Sequence, residues 1–196
     1  MYTSNESTPT IPTVRLPGDM AMWFFILAEL LVFAVFFISY AVARMLQVEL
    51  FNHYQQTLDQ DIGAANTVIL ITGSLCVALA GRAIQTGEIR LCRNWLLAGI
   101  FSGMAFVLLK SLEFADKLAQ GISLSTNTFY MFYLSLTFFH FMHVILGMVI
   151  LAIVAWQTHQ GAYSAHHHAD IESAGAYWHM IDLVWIVLFP LVYVIR

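Results

Sequence analysis

An all-α integral membrane protein, a bundle of five transmembrane helices, is the fold class predicted by three observations. Hydrophobic residues make up 60% of the 196-residue chain and charged residues only 10%, and the mean hydropathy is +0.74, a balance that soluble domains do not carry. The apolar residues gather into five runs, each near the ~20 residues that a helix needs to cross a ~30 Å hydrocarbon core. Every polar link between the runs is too short to hold a domain. A formal charge of −4 without a basic block excludes nucleic acid as a partner, and no juxtamembrane polybasic cluster marks an anionic-lipid docking segment. Cys76 and Cys92 have neither the number nor the spacing of a disulfide framework or a zinc site, and are read as inert thiols.

Residues 1–19 form a polar segment rich in Ser, Thr and Pro, and residues 20–196 form the membrane domain. The first span runs from Met20 to Ala43 and is read as a retained helix, because it is longer than a signal h-region. A polar loop, NHYQQTLDQD, precedes the second span, Ala64 to Ala83, which carries the small-residue run Thr72 to Ser74. The third span, Asn94 to Leu112, is the shortest and contains GIFSG, Gly99 to Gly103. Helices in lipid lack a hydrophobic drive to associate, so small residues of this kind mark contact seams. The fourth span, Thr128 to Trp156, exceeds the core thickness and must tilt or protrude. The fifth extends from Ala174 to Ile195. Arg82, Arg90 and Arg93 make the link between the second and third spans basic, which places that link and the N-terminus in the cytoplasm and the C-terminus outside.

Polar side chains inside these spans are the candidate site residues, since an ionisable group at the bilayer centre costs about 2.5–3.5 kcal/mol on insertion scales. Glu29 lies about ten residues into the first span, too deep and too short to snorkel. Its plain reading is a carboxyl satisfied by a neighbouring helix; the functional one is lipid-headgroup or proton handling. In the fourth span Tyr133, Thr137, His140 and Gly147 share one stripe, with His143 beside it. In the fifth, Glu172, His179 and Asp182 share one face, and Trp178 and Trp185 form a second pair. His179 and Asp182 are read as a buried polar clasp to the fourth helix, with a proton relay as the rival. Lys110 and Glu113 read as a solvated ion pair at the membrane boundary. The triple histidine His166 to His168 reads as a polar loop without the fixed surroundings of a metal site. Two stand-alone functions are compatible with these residues: a b-type haem clamped by His140 or His143 and His179, and a proton-coupled carrier titrating on Glu29 and Asp182.

Several stretches, taken in order, resemble subunit III of the haem-copper oxidases. They are FFILAELLVFAVFF around Glu29, NTVILITGS from Asn66, KSLEFADK around Glu113, FHFMHVILG around His140 and His143, and ESAGAYWHMIDLVWIVLFPLVY from Glu172. Lys110 and Phe114 depart from the glutamine and tyrosine usual in that family, and the seven-helix members carry two further N-terminal helices. The resemblance implies a chain with no catalytic centre, cofactor or metal of its own. Its partner would be a catalytic subunit of the bacterial inner membrane holding haem with copper or non-haem iron, with phospholipid bound to the bundle. Glu29, Asn66, Glu113, His140, His143, Glu172, His179 and Asp182 match the family's intramembrane polar positions, as structural, lipid or interface residues. The short N-terminus and RLPGDMAMWFFILAEL are most similar to the five-helix subunit-III-like proteins associated with bacterial nitric oxide reductases. That implies an accessory role in denitrification; subunit III of a proton-pumping cytochrome c or quinol oxidase is the alternative.

Overall fold

A computed structural model describes residues 20–195; the polar segment 1–19 lies outside the described residues. Six α-helices follow in order: α1 (Met20–Leu46), α2 (Val48–Gln55), α3 (Gln60–Gln85), α4 (Ile89–Ala119), α5 (Thr128–His159) and α6 (Ala169–Phe189), the last continuing into a π-helical turn, Pro190–Val194. All except α2 belong to spans long and apolar enough to cross a membrane, five in number.

The sixth helix, α2, corrects the expected polar loop. Its two turns put Phe51 and Gln55 on one buried side, and Phe51 meets Tyr40 and Phe129 edge to face at 5.3 and 5.6 Å. Arg44, at the end of α1, secures it by donating to Asn52 at 3.0 Å and Gln55 at 3.2 Å. The third span is the longest departure from expectation: α4 covers 31 residues rather than the shortest stretch. Charges near both its ends hide helical turns from any hydropathy window. Two helix starts carry side-chain caps. Asp59 accepts from the amides of Asp61 and Ile62, and Asn127 from that of Tyr130.

Helices α3, α4, α5 and α6 pack as one four-helix unit, with α1 laid outside against α5 and α6. Its centre is the indole of Trp178 on α6. A Cβ on Gly103 would stand 2.8 Å from that ring, one on Gly147 3.2 Å, and one on Gly73 3.5 Å. Three glycines on three helices thus make the space for one large side chain, the close approach that small residues permit in membranes. The GIFSG and Thr72 to Ser74 runs accordingly sit on seams within the bundle.

Candidate functional site

At one end of the bundle, α4, α5 and the C-terminal turn enclose an ion pair. Lys110 Nζ lies 3.0 Å from Glu113 Oε2 and donates to the Tyr193 hydroxyl at 2.5 Å. Tyr193 in turn donates to Glu113 Oε1 at 2.7 Å, and Tyr133 donates to the same oxygen. The ammonium also stands 5.1–5.6 Å from the ring centres of Tyr133, Tyr193, Phe114 and Trp185, within the range where a ring face attracts a cation. Lys110 is 0% exposed and Glu113 7%. The expectation of a solvated pair is therefore corrected: α4 continues past both residues, and the C-terminal turn folds over them. A buried pair of this kind is tolerable because every acceptor of the carboxylate is engaged and the cation has both oxygens and π faces around it. A cavity of about 480 Å³, lined by Thr57, Asp59, Asp116 and Lys117 among others, opens beside Glu113.

A second polar contact joins α1 to α5. His143 Nε2 lies 3.0 Å from Glu29 Oε2, while Nδ1 bonds the Phe139 carbonyl at 2.8 Å. With the Nδ1 proton committed to that carbonyl, one further proton between Nε2 and the carboxyl completes the contact. Phe33 and Phe139 pack on the imidazole at 5.2 and 4.7 Å.

The other sequence-marked residues separate. His140 is fully buried between Phe106 and Trp185, at ring distances of 5.6 and 5.1 Å. Among the described residues neither its ring nitrogens nor the amide of buried Asn66 has a hydrogen-bond partner. The neighbour of Asn66, Thr67, accepts from the Trp185 indole at 2.9 Å. His179 is exposed and bonds Ser74 Oγ on α3 at 2.6 Å, and Asp182 lies beside the same serine. The expected clasp thus runs through Ser74 to α3 rather than between His179 and Asp182 to the fourth span. Glu172 pairs with His168 at 3.2 Å, one turn away in the first turn of α6. Ahead of that turn, the Tyr163 hydroxyl bridges Gln157 and Asp170, 3.1 Å from the latter. Burial, with the Asp170 carboxylate, pushes its phenol up to about 12.

His140 faces aromatic rings, His143 faces α1 and His179 faces α3. Glu29 meets α5 through His143, whereas Asp182 lies beside Ser74 of α3 with its Oδ1 buried and without a hydrogen-bond partner among the described residues. Three of the polar contacts link helices: Glu29 with His143, His179 with Ser74, and the Lys110–Glu113 pair with Tyr133 and Tyr193. Tyr193 and the burial of Lys110 escaped sequence reading, because only the turn after Pro190 brings the phenol back across α4.

The cytochrome c oxidase subunit III family matches residues 9–195. Over 185 residues the chain is 29% identical to cytochrome c oxidase subunit 3 of Thermostichus vulcanus, covering 94% of this chain and 89% of that protein. Synechocystis sp. cytochrome c oxidase subunit 3 is 31% identical over 185 residues, 94% of this chain and 77% of its own length. The heme-copper oxidase subunit I+III of Aeropyrum pernix is 27% identical over 181 residues, 89% of this chain and 22% of that longer protein. A match spanning all five membrane helices establishes that this chain belongs to the cytochrome c oxidase subunit III family.

Proposed function

We propose that the chain is subunit III of a haem-copper oxygen reductase, a non-catalytic membrane subunit that stabilises the catalytic subunit beside it. The observation that carries this reading is the family match across residues 9–195. The relatives described above have oxidase names, so the terminal-oxidase alternative fits them better than an association with nitric oxide reductase. The use of Glu29, Glu113, His143 and His179 in contacts between or within helices supports a structural role. In this reading haem and copper belong to the catalytic partner, and the joint subunit I+III name of the Aeropyrum pernix relative supports that pairing.

We place the chain in a bacterial inner membrane with its N-terminus cytoplasmic. Arg82 and Arg90 lie exposed at the face where α1 begins, with Arg93 beside them bonded to His159, whereas Arg44 and Lys117 at the other face are taken up by Asn52, Gln55 and the Thr57 carbonyl. The arginines of the α3–α4 link support the cytoplasmic placement of that face.

The test is purification of the tagged chain in mild detergent, with mass spectrometry and metal analysis of the largest co-purifying subunit. A haem protein containing copper is the expected partner. A catalytic subunit with haem and non-haem iron, active on nitric oxide, would overturn the oxygen-reductase assignment.

A further inference from the structure

Two glycines of the spans have no packing reason to be glycine, and both line the same groove. In Gly63, Gly73, Gly99, Gly103 and Gly147 an added Cβ would stand 2.5–2.9 Å from a neighbouring side chain, so the bundle itself requires their smallness. A Cβ on Gly81 meets nothing within 4 Å, and one on Gly175 meets only Val77 Cγ1, at an ordinary 3.7 Å. Glycine inside a helix costs about 0.5–1 kcal/mol relative to alanine, a cost that no internal contact of Gly81 or Gly175 explains. With Ala78 and Ala176 they line a groove of about 500 Å³ bounded by α1, α3 and α6, and His179 lines it too.

The imidazole decides what can occupy that groove. His179 stands at the middle of α6 (Ala169–Phe189), about 15 Å from the helix start at 1.5 Å per residue and so half-way through a ~30 Å hydrocarbon core. Away from the span ends, the other ionisable side chains of the spans are buried or paired, whereas His179 is exposed. Its Nδ1 is held by Ser74, and Nε2 makes no hydrogen bond among the described residues. The outward hydroxyls of Ser39, Thr72 and Ser111 satisfy themselves on a carbonyl one turn back. Nε2, the far nitrogen of a ring already anchored at Nδ1, has no such recourse. Acyl chains offer neither donor nor acceptor at this depth, and a polar group left in hydrocarbon is costly. A protein helix supplies both what Nε2 lacks and what the glycines admit, since helices in membranes join through small residues and through hydroxyl or amide side chains. We propose that this groove seats a transmembrane helix of another subunit, with small residues against Gly81 and Gly175 and a hydroxyl or carboxamide side chain on His179 Nε2.

The experiment is photo-cross-linking of the full chain in its own membranes, with p-benzoylphenylalanine placed at Leu183, an exposed groove position one turn from His179, or at Phe101, exposed on α4 and outside the groove. Mass spectrometry then reads the linked peptide. From Leu183 and not from Phe101, the expected product joins a membrane-spanning segment of another chain that carries Ser, Thr, Asn or Gln within about a turn of the linked residue. Asparagine places its amide where Nδ1 lies and glutamine where Nε2 lies. His179→Asn should therefore keep the Ser74 contact and lower the yield about three- to tenfold, and His179→Gln should retain most of it. Gly81→Leu, in open space within this chain, should lower the yield by obstructing the groove; the histidine pair keeps the test open if that variant does not fold. Cross-links to phospholipid alone, or to a second copy of this chain, overturn the assignment, as do equal yields in the two histidine variants. Failure of the oxygen-reductase reading would change the identity of the linked subunit and leave the position of the link unchanged.

Discussion

Helices α3 to α6 interlock through glycine seams and a buried ion pair, whereas α1 rests on them through aromatic rings and the Glu29–His143 contact. Only 11% of the apolar stretch of α1 is buried, against 56% of the final span. Three grooves of about 500 Å³ each run alongside α1, lined in part by Phe25, Leu30 and Phe36. In lipid, exposed apolar surface costs nothing, so α1 needs little contact to stay in the membrane and the four-helix unit needs specific contacts to have a shape. The difference assigns architecture to the polar and small residues of α3 to α6, and leaves α1 as the element with the most surface facing outward.

The largest effect should come from breaking the buried pair on one side. Glu113→Ala leaves the Lys110 ammonium without its counter-charge and should destabilise the protein by about 3–5 kcal/mol in thermal unfolding in detergent. Lys110→Met/Glu113→Leu should recover part of that loss, because no unpaired charge remains, although the Tyr133 and Tyr193 hydroxyls still lose their acceptor. Equal losses in the single and double variants would show that the pair is not a unit.

Filling a seam comes next. In Gly147→Ala the new methyl would stand 2.6 Å from Ile181 Cδ1 and 3.2 Å from the Trp178 ring, and overpacking of this kind costs about 1–3 kcal/mol. Gly81 has open space around it, so Gly81→Ala should leave the melting temperature unchanged or raise it slightly.

On α1 the expected effect is smallest. Glu29→Ala removes an interhelical hydrogen bond worth about 1 kcal/mol in membranes. It should barely move the unfolding of the bundle while raising hydrogen exchange along α1, read segment by segment. A loss as large as that of Glu113→Ala would erase the contrast between the two regions.

Much of this was legible beforehand, for reasons that differ by residue. All five spans were visible because hydrocarbon imposes a length, and the stripe through Tyr133, Thr137, His140 and Gly147 was visible because a polar residue in lipid must face protein. GIFSG and the Thr72 to Ser74 run pointed to seams, and their glycines meet Val77, Met148, Trp178 and Ser102. The short helix α2 was hidden because eight residues carry too few repeats of the helical period to stand out. Lys110 and Glu113 were misplaced because a charge within two turns of a helix end looks solvated, and nothing local announces that Tyr193 will close over it. His179 and Asp182 shared a face as expected, but a face does not name its partner, and Ser74 is 105 residues away from His179.

The central claim is that the intramembrane polar groups build a subunit rather than carry out the reaction of the complex. It is tested most directly by the oxygen consumption per haem of the complex carrying Lys110→Met/Glu113→Leu, measured alongside the amount of chain retained on the catalytic subunit. The account predicts that any loss appears in retention and stability, with turnover of each assembled complex unchanged. A complex that assembles fully yet no longer reduces oxygen would contradict it, and would place the Lys110–Glu113 pair in the chemistry.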